Sequence, residues 1–284
     1  MSVMVAAECC RDSWIVPPAN VLVHARMAYS TVGTGNLRIV RSGRIMRPRE
    51  IVLALTVSCI LDAMSIAGVP AVGRYRTMAR HAVSSVIGSM WEKVCLAGMV
   101  EHGHPRAKRF ASFGEGSMLS FPPGTIFNEE WISIGKKVMV GPRVSMSVGM
   151  VPKQPIAGND AILRIGDRCV IGQGSYIVAH TGLEIGNDVQ TGPYVYITDQ
   201  NHGYEDPELP IGIQWPVNKG VTIGSGTWIG TGAIILPGTS IGQNVVVGAG
   251  SVVTGNIPDR CVVVGAPARV VRKYIPGTGW NRAG

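Results

Sequence analysis

Residues 223–258 read IGSGTWIGTGAIILPGTSIGQNVVVGAGSVVTGNIP and divide without remainder into sixes: IGSGTW, IGTGAI, ILPGTS, IGQNVV, VGAGSV, VTGNIP. The first place of each unit is Ile or Val, and the second is usually Gly. The fifth is small or β-branched in Thr227, Ala233, Thr239, Val245 and Ser251. Neither the helical period of 3.6 nor the strand period of 2 produces this spacing. A fixed period of six is the signature of a parallel β-helix, in which one short aliphatic face cannot bury itself and stacks on the next coil. Glycine in the second place suits a tight corner where a side chain would be strained.

Upstream the register returns. Residues 165–182 read IGDRCV, IGQGSY, IVAHTG; after Leu183 and Glu184, residues 185–202 read IGNDVQ, TGPYVY, ITDQNH. Their fifth places hold Cys169, Ser175, Val189 and Val195, so Cys169 reads as a small packing residue, and Cys261 likewise. Degenerate units, FGEGSM at 113–118, WISIGKKV at 131–138 and VGPRVS at 140–145, carry the pattern back to about residue 110. Two stretches break it. VGMVPKQPIAGND (148–160) reads as an ejected loop, and GYEDPELPIGIQWPVNKG (203–220) follows Asp199, Gln200, Asn201 and His202 directly. Breaking a solenoid exposes backbone groups and forfeits a stack, so so long a loop points to function. A histidine at its edge, on a rigid frame, is placed for proton transfer near neutral pH; the plain alternative is a cap on a coil edge.

The block from Thr222 to Lys273, ending in GAPARVVRK, resembles the C-terminal part of hexapeptide-repeat sugar O-acetyltransferases of the maltose, galactoside and nodulation type and of polysaccharide clusters. The resemblance covers roughly residues 110–272 and implies a left-handed triangular β-helix with three sixes per coil. It implies acetyl-CoA as cosubstrate, no metal, and a sugar or glycan hydroxyl as acceptor. His202 takes the family's general-base position. The backbone N–H groups of Thr231 and Ala249 are expected to face the donor, Thr231 being the candidate oxyanion donor. Thr254 and Arg269 fall where the family contacts the nucleotide end of CoA, and guanidinium suits phosphate. VTGN stands where many relatives read VTKD, so Gly255 replaces a phosphate-contacting lysine, for which Arg272 or Lys273 is the substitute. Trp228 matches a tryptophan beside the family's site, or is an exposed corner aromatic. Stacking places His180 near Gln200, as an acceptor-site residue or a coil-edge cap. Asp199 and Asn201 are further acceptor candidates, Asp199 alternatively orienting His202. Trp215 and Lys219, on the second loop, are expected to help set the acceptor. The family also implies a homotrimer with active sites between subunits.

The front of the chain differs in composition. Residues 1–110 hold 14 Lys/Arg against 6 Asp/Glu, and the remainder balances at 12 against 12, so the net charge of +8 belongs to the front. A basic front end favours anionic surfaces, giving peripheral membrane contact through residues 1–110 as an expectation, with a solvated extension as the plain alternative and no nucleic acid expected. Ile51–Gly73 carries Asp62 as its single charge and is interrupted by Gly68 and Pro70, reading as a buried or membrane-peripheral helix rather than a span. Met78, Val83, Val86, Ile87, Met90, Trp91 and Val94 form an imperfect amphipathic stripe. The six cysteines have neither zinc-finger nor C-x-x-C spacing and read as free thiols of a cytoplasmic protein. The start shows no basic stretch followed by an apolar run, and Met46 is an alternative initiator.

The expectation is therefore a mainly β chain: an irregular or disordered extension over 1–45, an apolar, partly helical region over 46–109, the β-helix over 110–272 and a C-terminal tail over 273–284. Rival readings are a non-catalytic hexapeptide scaffold that binds a partner or membrane, and a serine-acetyltransferase-like enzyme. A zinc-dependent carbonic anhydrase on this prism would need a histidine set that the repeat, with His180 and His202 alone, does not complete.

Overall fold

The computed structural model describes residues 39–41, 44–46, 72–156, 158 and 160–283. The chain divides into two units, Met1–Leu53 and Ala54–Gly284. In the first, Ile39–Arg41 pairs antiparallel with Arg44–Met46, a small ladder that reaches into the stretch expected to be irregular. The expected apolar helix at Ile51–Gly73 lies outside the described residues except for Val72 and Gly73, which open helix α1, Val72–Gly98.

In the second unit, most of the expected stripe on α1 packs into no core among the described residues, Val83 and Val86 alone being half-buried. Met78, Ile87, Met90, Trp91 and Val94 are all exposed, and the helix meets the rest of the unit through Trp91 against Phe121, ring centroids 6.5 Å apart. From Ser112 onward the chain winds as a three-sided parallel β-helix. The first face runs from Ser112–Phe113 through Leu163–Ile165 and Leu183–Ile185 to Asn256–Ile257. The second runs from Met118–Leu119 through Gln190–Thr191 and Trp228–Ile229 to Cys261–Gly265, and the third from Ile126–Phe127 through Tyr196–Thr198 to Val252–Val253. The corner between the first and second faces is here the first corner. The second corner joins the second and third faces, and the third corner leads to the next coil.

The six-residue rule maps onto this geometry place by place. First-place residues stack in register, Ile165 on Ile185 and Ile223 on Ile241, and form the buried columns. All nine named fifth-place residues are buried. Their polar atoms are satisfied, as burial demands: Cys169 Sγ donates to Gly186 O at 3.0 Å, and Thr239 Oγ1 to Leu236 O at 2.6 Å. The glycine expectation needs correction. Positive φ occurs in the fourth place, at Arg168, Asp188, Tyr194 and Asn244 among others. Second-place glycines are required instead by the close approach of successive coils: a Cβ on Gly172 would stand 2.2 Å from Gly192 O.

Both ends are covered. A 3-10 turn at Pro105–Arg109, with Phe110 and Phe113 packed edge to face at 5.5 Å, lies over the first coils. Buried Glu129 there receives Arg109 Nη2 at 3.0 Å. At the other end, the residues expected to form a tail are ordered as strands. Ala268–Ile275 turns back on Cys261–Gly265, and Gly279–Arg282 pairs with it, so the second sheet continues to Arg282 as an antiparallel extension. The GAPAR motif is the turn that begins this closure. Loop 149–160 is anchored by buried Asn128, whose Nδ2 donates to Val148 O at 2.6 Å and whose Oδ1 accepts from Lys153 N at 2.6 Å.

Candidate active site

At the third corner the repeat opens into the 200–218 excursion. Its base is a short antiparallel ladder, Gln200 opposite Asn218 and Asn201 opposite Val217, reinforced by Gln200 Nε2 donating to Asn218 Oδ1 at 3.0 Å. His202 follows immediately. It is exposed, and its ring makes no hydrogen bond among the described residues; its backbone N–H donates to Asn201 Oδ1 at 3.1 Å. The imidazole is therefore neither a coil-edge cap nor committed to a partner. Gly203 is buried against the returning arm, where a Cβ would meet Trp215 O at 2.4 Å. Gln214 staples the excursion, donating to Asp206 O at 2.8 Å and Leu209 O at 3.0 Å. Neither Gly203 nor Gln214 was singled out by sequence reasoning; the signal for Gly203 was its place directly after His202. Trp215 stands at the rim, 88% exposed.

Asp199 does not reach His202. Its carboxylate turns inward, wholly buried, and accepts from the backbone N–H groups of His180, Thr181 and Gly182 at 2.8, 2.7 and 3.0 Å. His180 Nδ1 lies 3.3 Å from Asp199 Oδ1 with its side chain 8% exposed. Burial pushes the Asp199 carboxyl up, but the His180 ring and the three N–H donors outweigh it and hold the group below the usual carboxylate range. The structure thus turns the His180 ring to Asp199, while the register of the third face keeps His180 level with Gln200, as stacking predicts. Asp199, one of the acceptor candidates, is enclosed and committed to the corner, whereas half-buried His180 commits its backbone N–H and Nδ1 to Asp199 and no partner of its Nε2 is found among the described residues.

The second corner presents something different: free backbone donors. Along the first corner, four third-place N–H groups are capped by side chains one coil on. Lys136 N donates to Asp167 Oδ1 at 2.8 Å, Asp167 N to Asn187 Oδ1 at 2.7 Å, Asn187 N to Ser225 Oγ at 3.0 Å and Gln243 N to Asp259 Oδ1 at 2.8 Å. Along the second corner, the N–H groups of Thr231 and Ala249 find no acceptor among the described residues. They are stacked one coil apart, Thr231 O accepting from Gly250 N at 2.9 Å. Unpaired amides in a row offer hydrogen-bond donors to an oxygen. A shallow groove of about 610 Å³ runs along the first face and corner past Arg164, Glu184, Asn187 and Asp259, but Arg164 is paired with Glu184 at 3.2 Å and the Asn187 and Gln243 amides are spent.

The remaining expected residues sort by corner. Trp228, exposed, lies on the second face between Gln190 and Val246. Arg269 is paired across the closing hairpin with Val264. Val264 packs at Gly248, 2.7 Å from where a Cβ would stand, so Arg269 sits beside the Ala249 end of the free-amide row. Arg272 is opposite Val262 on the same sheet. Thr254 is exposed at the third corner and groups in one chain with the His202 end, not with Ala249. Gly255 has φ +74°, a backbone that a lysine would adopt only with strain.

Two family models match the chain: the bacterial transferase hexapeptide (six repeats) over residues 220–255, and the hexapeptide repeat of succinyl-transferase over 162–198. Among curated proteins, the chain is 30% identical over 149 residues to galactoside O-acetyltransferase of Escherichia coli, covering 52% of this chain and 67% of that protein. It is 35% identical over 130 residues to the putative lipopolysaccharide biosynthesis O-acetyl transferase WbbJ of Escherichia coli, covering 43% and 66%. It is 41% identical over 120 residues to the probable acetyltransferase Rv3034c of Mycobacterium tuberculosis, covering 42% and 40%. The chain thus spans between two fifths and two thirds of these relatives' lengths. A solved variant of AntD, an N-acyltransferase from Bacillus cereus with dTDP and coenzyme A bound, superposes with a TM-score of 0.52 at 20% identity over 63% of this chain and 91% of that one.

Proposed function

The chain belongs to the bacterial hexapeptide-repeat transferases, with their left-handed β-helix, and we propose that it moves an acetyl group from acetyl-CoA to a hydroxyl of a sugar or glycan precursor. The observation that carries this reading is that one chain holds both an uncommitted imidazole, His202, on an anchored excursion and, at another corner, a row of uncapped amides at Thr231 and Ala249. The relatives named as O-acetyltransferases give the reaction class.

In this reading His202 accepts the acceptor hydroxyl's proton as the oxygen attacks the thioester carbonyl. The new C–O bond forms, and the carbonyl oxygen becomes an oxyanion that accepts from the Thr231 N–H. The C–S bond then breaks, and the imidazolium returns its proton to the departing CoA thiolate. Ala249 N–H holds an amide oxygen further along the donor, and Arg269 receives phosphate. Arg272 is the companion cation, in place of the lysine that Gly255 replaces. Trp228, Trp215 and Asn201 line the acceptor side, and Lys219 contributes at the foot of the excursion.

One chain does not complete this site. His202 leaves the third corner and Thr231 sits at the second, with a third-face strand between them, roughly 20 Å at about 3.3 Å per residue. A direct transfer needs reacting atoms about 3–3.5 Å apart. We therefore place the site between copies of the chain, the third corner of one against the second corner of the next, in a closed homotrimer. The surfaces fit. The first face is polar and paired within itself, Ser112 with Ser133 at 2.6 Å and Thr222 with Ser240 at 3.0 Å. The second and third faces expose Met139, Trp228, Tyr176 and Tyr196. No described helix is long and apolar enough to cross a membrane; contact of the basic residues 1–110 with an anionic membrane surface is the companion proposal.

The test is thiol release from acetyl-CoA across a panel of sugar and glycan acceptors. The expected result is acceptor-dependent release that falls about 10²- to 10⁴-fold in His202→Ala, the range for loss of a general base, with CoA binding unchanged. A native chain that neither binds CoA nor releases thiol would overturn the reading and favour a scaffold.

A further inference from the structure

The proposed mechanism leaves Asp199 without a task, yet its carboxylate is among the most enclosed charges in the chain, with no exposed surface. An ionised group that deep is destabilising by several kcal/mol unless every lone pair is occupied. Here they are. Oδ2 accepts from Thr181 N at 2.7 Å, His180 N at 2.9 Å, Gly182 N at 3.0 Å and Thr181 Oγ1 at 3.2 Å. Oδ1 accepts from His180 N at 2.8 Å and faces His180 Nδ1 at 3.3 Å.

The backbone of the same residue holds the other side of the break. Asp199 O accepts from Lys219 N at 2.8 Å, where the excursion returns. Lys219 O in turn accepts from Gly238 N at 2.9 Å, and Gly182 O accepts from Val221 N at 3.0 Å. Asp199 is thus a node joining the corner of the coil before, the departing arm and the returning arm.

Its position in the repeat is selective. By the register of the third face, Ile177 pairs with Ile197 and Ile197 with Ile235, so the coils before and after place Ala179 and Pro237 where this coil has Asp199. An acid occupies the slot in the coil that opens into the excursion, and His202 stands three residues beyond it.

We propose that Asp199 is a positioning residue, with His180 as its partner: it clamps both roots of the 200–218 excursion to the preceding corner and so fixes where His202 stands, acting through the backbone rather than through the His202 ring. The functional half rests on His202 being the base. The structural half does not, and the experiment separates them.

The experiment compares the full-length native chain with Asp199→Asn by amide hydrogen exchange and by steady-state kinetics. An Asn amide keeps the size but turns an N–H₂ toward three backbone donors, leaving buried groups unpaired. The expected exchange result is at least about a tenfold loss of protection confined to 180–182, 200–201 and 217–221, with 223–253 unchanged. The expected kinetic result is a fall in kcat of about 10- to 100-fold, the scale of an ångström of misplacement, with the KM for acetyl-CoA within about twofold. A packing role alone would lower thermal stability without that split. His180→Ala, which removes the ring and leaves the three amides, is the milder second variant, with loss of protection limited to 180–182 and 199–201. Unchanged exchange at those segments in both variants, or loss of protection spread evenly over the prism, overturns the proposal. If no acyl transfer is found in the native chain, a local loss of protection still supports the clamp, and the failure belongs to the assigned reaction.

Discussion

The Thr231 N–H can be deleted without touching any side chain of the core, because the fold already shows how to accommodate a proline there. Gly230, Thr231, Gly232 and Ala233 form a turn closed by Ala233 N donating to Gly230 O at 3.2 Å, with φ +67° at Gly232. This is the arrangement in which proline is favoured at the second residue. In earlier coils the same slot of the same corner holds Pro142 and Pro193, each followed by a residue of positive φ, Arg143 and Tyr194. The Thr231 carbonyl, which accepts from Gly250 N, survives the change. Thr231→Pro should therefore leave the thermal midpoint unchanged or slightly higher, in line with the ~0.4–1 kcal/mol gained when proline matches its site. Removing one oxyanion donor costs about 2.7–4 kcal/mol of transition-state stabilisation, roughly 10²–10³ in kcat. Thr231→Ala, which keeps the N–H, should stay within about threefold of the native rate. The assay is steady-state thiol release beside calorimetric melting. A folded Thr231→Pro chain with native kcat would refute the placement of the oxyanion at this amide and move it elsewhere along the second corner.

Other expectations follow from the same geometry. Arg269→Ala should weaken CoA binding by about 1.5–3 kcal/mol, the worth of a charge-assisted hydrogen bond, with dephospho-CoA and CoA distinguished less well by the variant in calorimetric titration. Acid should loosen the third corner. The Asp199 carboxyl is held below its unfolded value of about 3.9, so its contribution is fully present above that pH and is lost as pH falls from about 4 through the folded value. The difference in melting temperature between the native chain and Asp199→Asn should then shrink on going below about pH 4, and a difference independent of pH would count against an ionised Asp199.

Much of the fold was legible because a six-residue period leaves little freedom. Once Ile165, Ile171 and Ile177 occupy first places, Cys169 and Ser175 must point inward. The reason for the glycines was not legible. A local reading assigns them to turn strain, whereas Gly172 is constrained by a carbonyl 20 positions away, on Gly192. The closing hairpin through Arg282 was missed because antiparallel pairing has no six-residue signature. Of the candidate site, His202 was proposed from its place at the break, and Thr231 and Ala249 from the resemblance. Asp199 was misread as facing substrate because its four corner donors come from one coil earlier. Position along the sequence says that Asp199 and His202 are close, while the alternation of a strand and the turn beyond it carry their side chains apart.

That separation between corners leads to a sharper consequence, since two defective chains can then repair each other. His202→Ala is broken at the third corner and intact at the second, while Thr231→Pro is the reverse. If the acetyl group is transferred between copies, an interface works whenever the Thr231→Pro chain supplies His202 and the His202→Ala chain supplies Thr231. In randomly mixed, co-expressed oligomers about one quarter of interfaces meet that condition, so the mixture should recover about a quarter of native activity per site, far above either parent. Oligomers of each variant alone contain no intact interface. Separate affinity tags on the two chains allow purification of the mixed species, and mixing already assembled parents provides the unexchanged control. A mixed oligomer as inactive as its parents would mean that His202 and Thr231 of one chain serve the same site. The excursion would then have to fold back across the whole third face, against the ladder and the Asp199–Lys219 bond that hold its two roots in place.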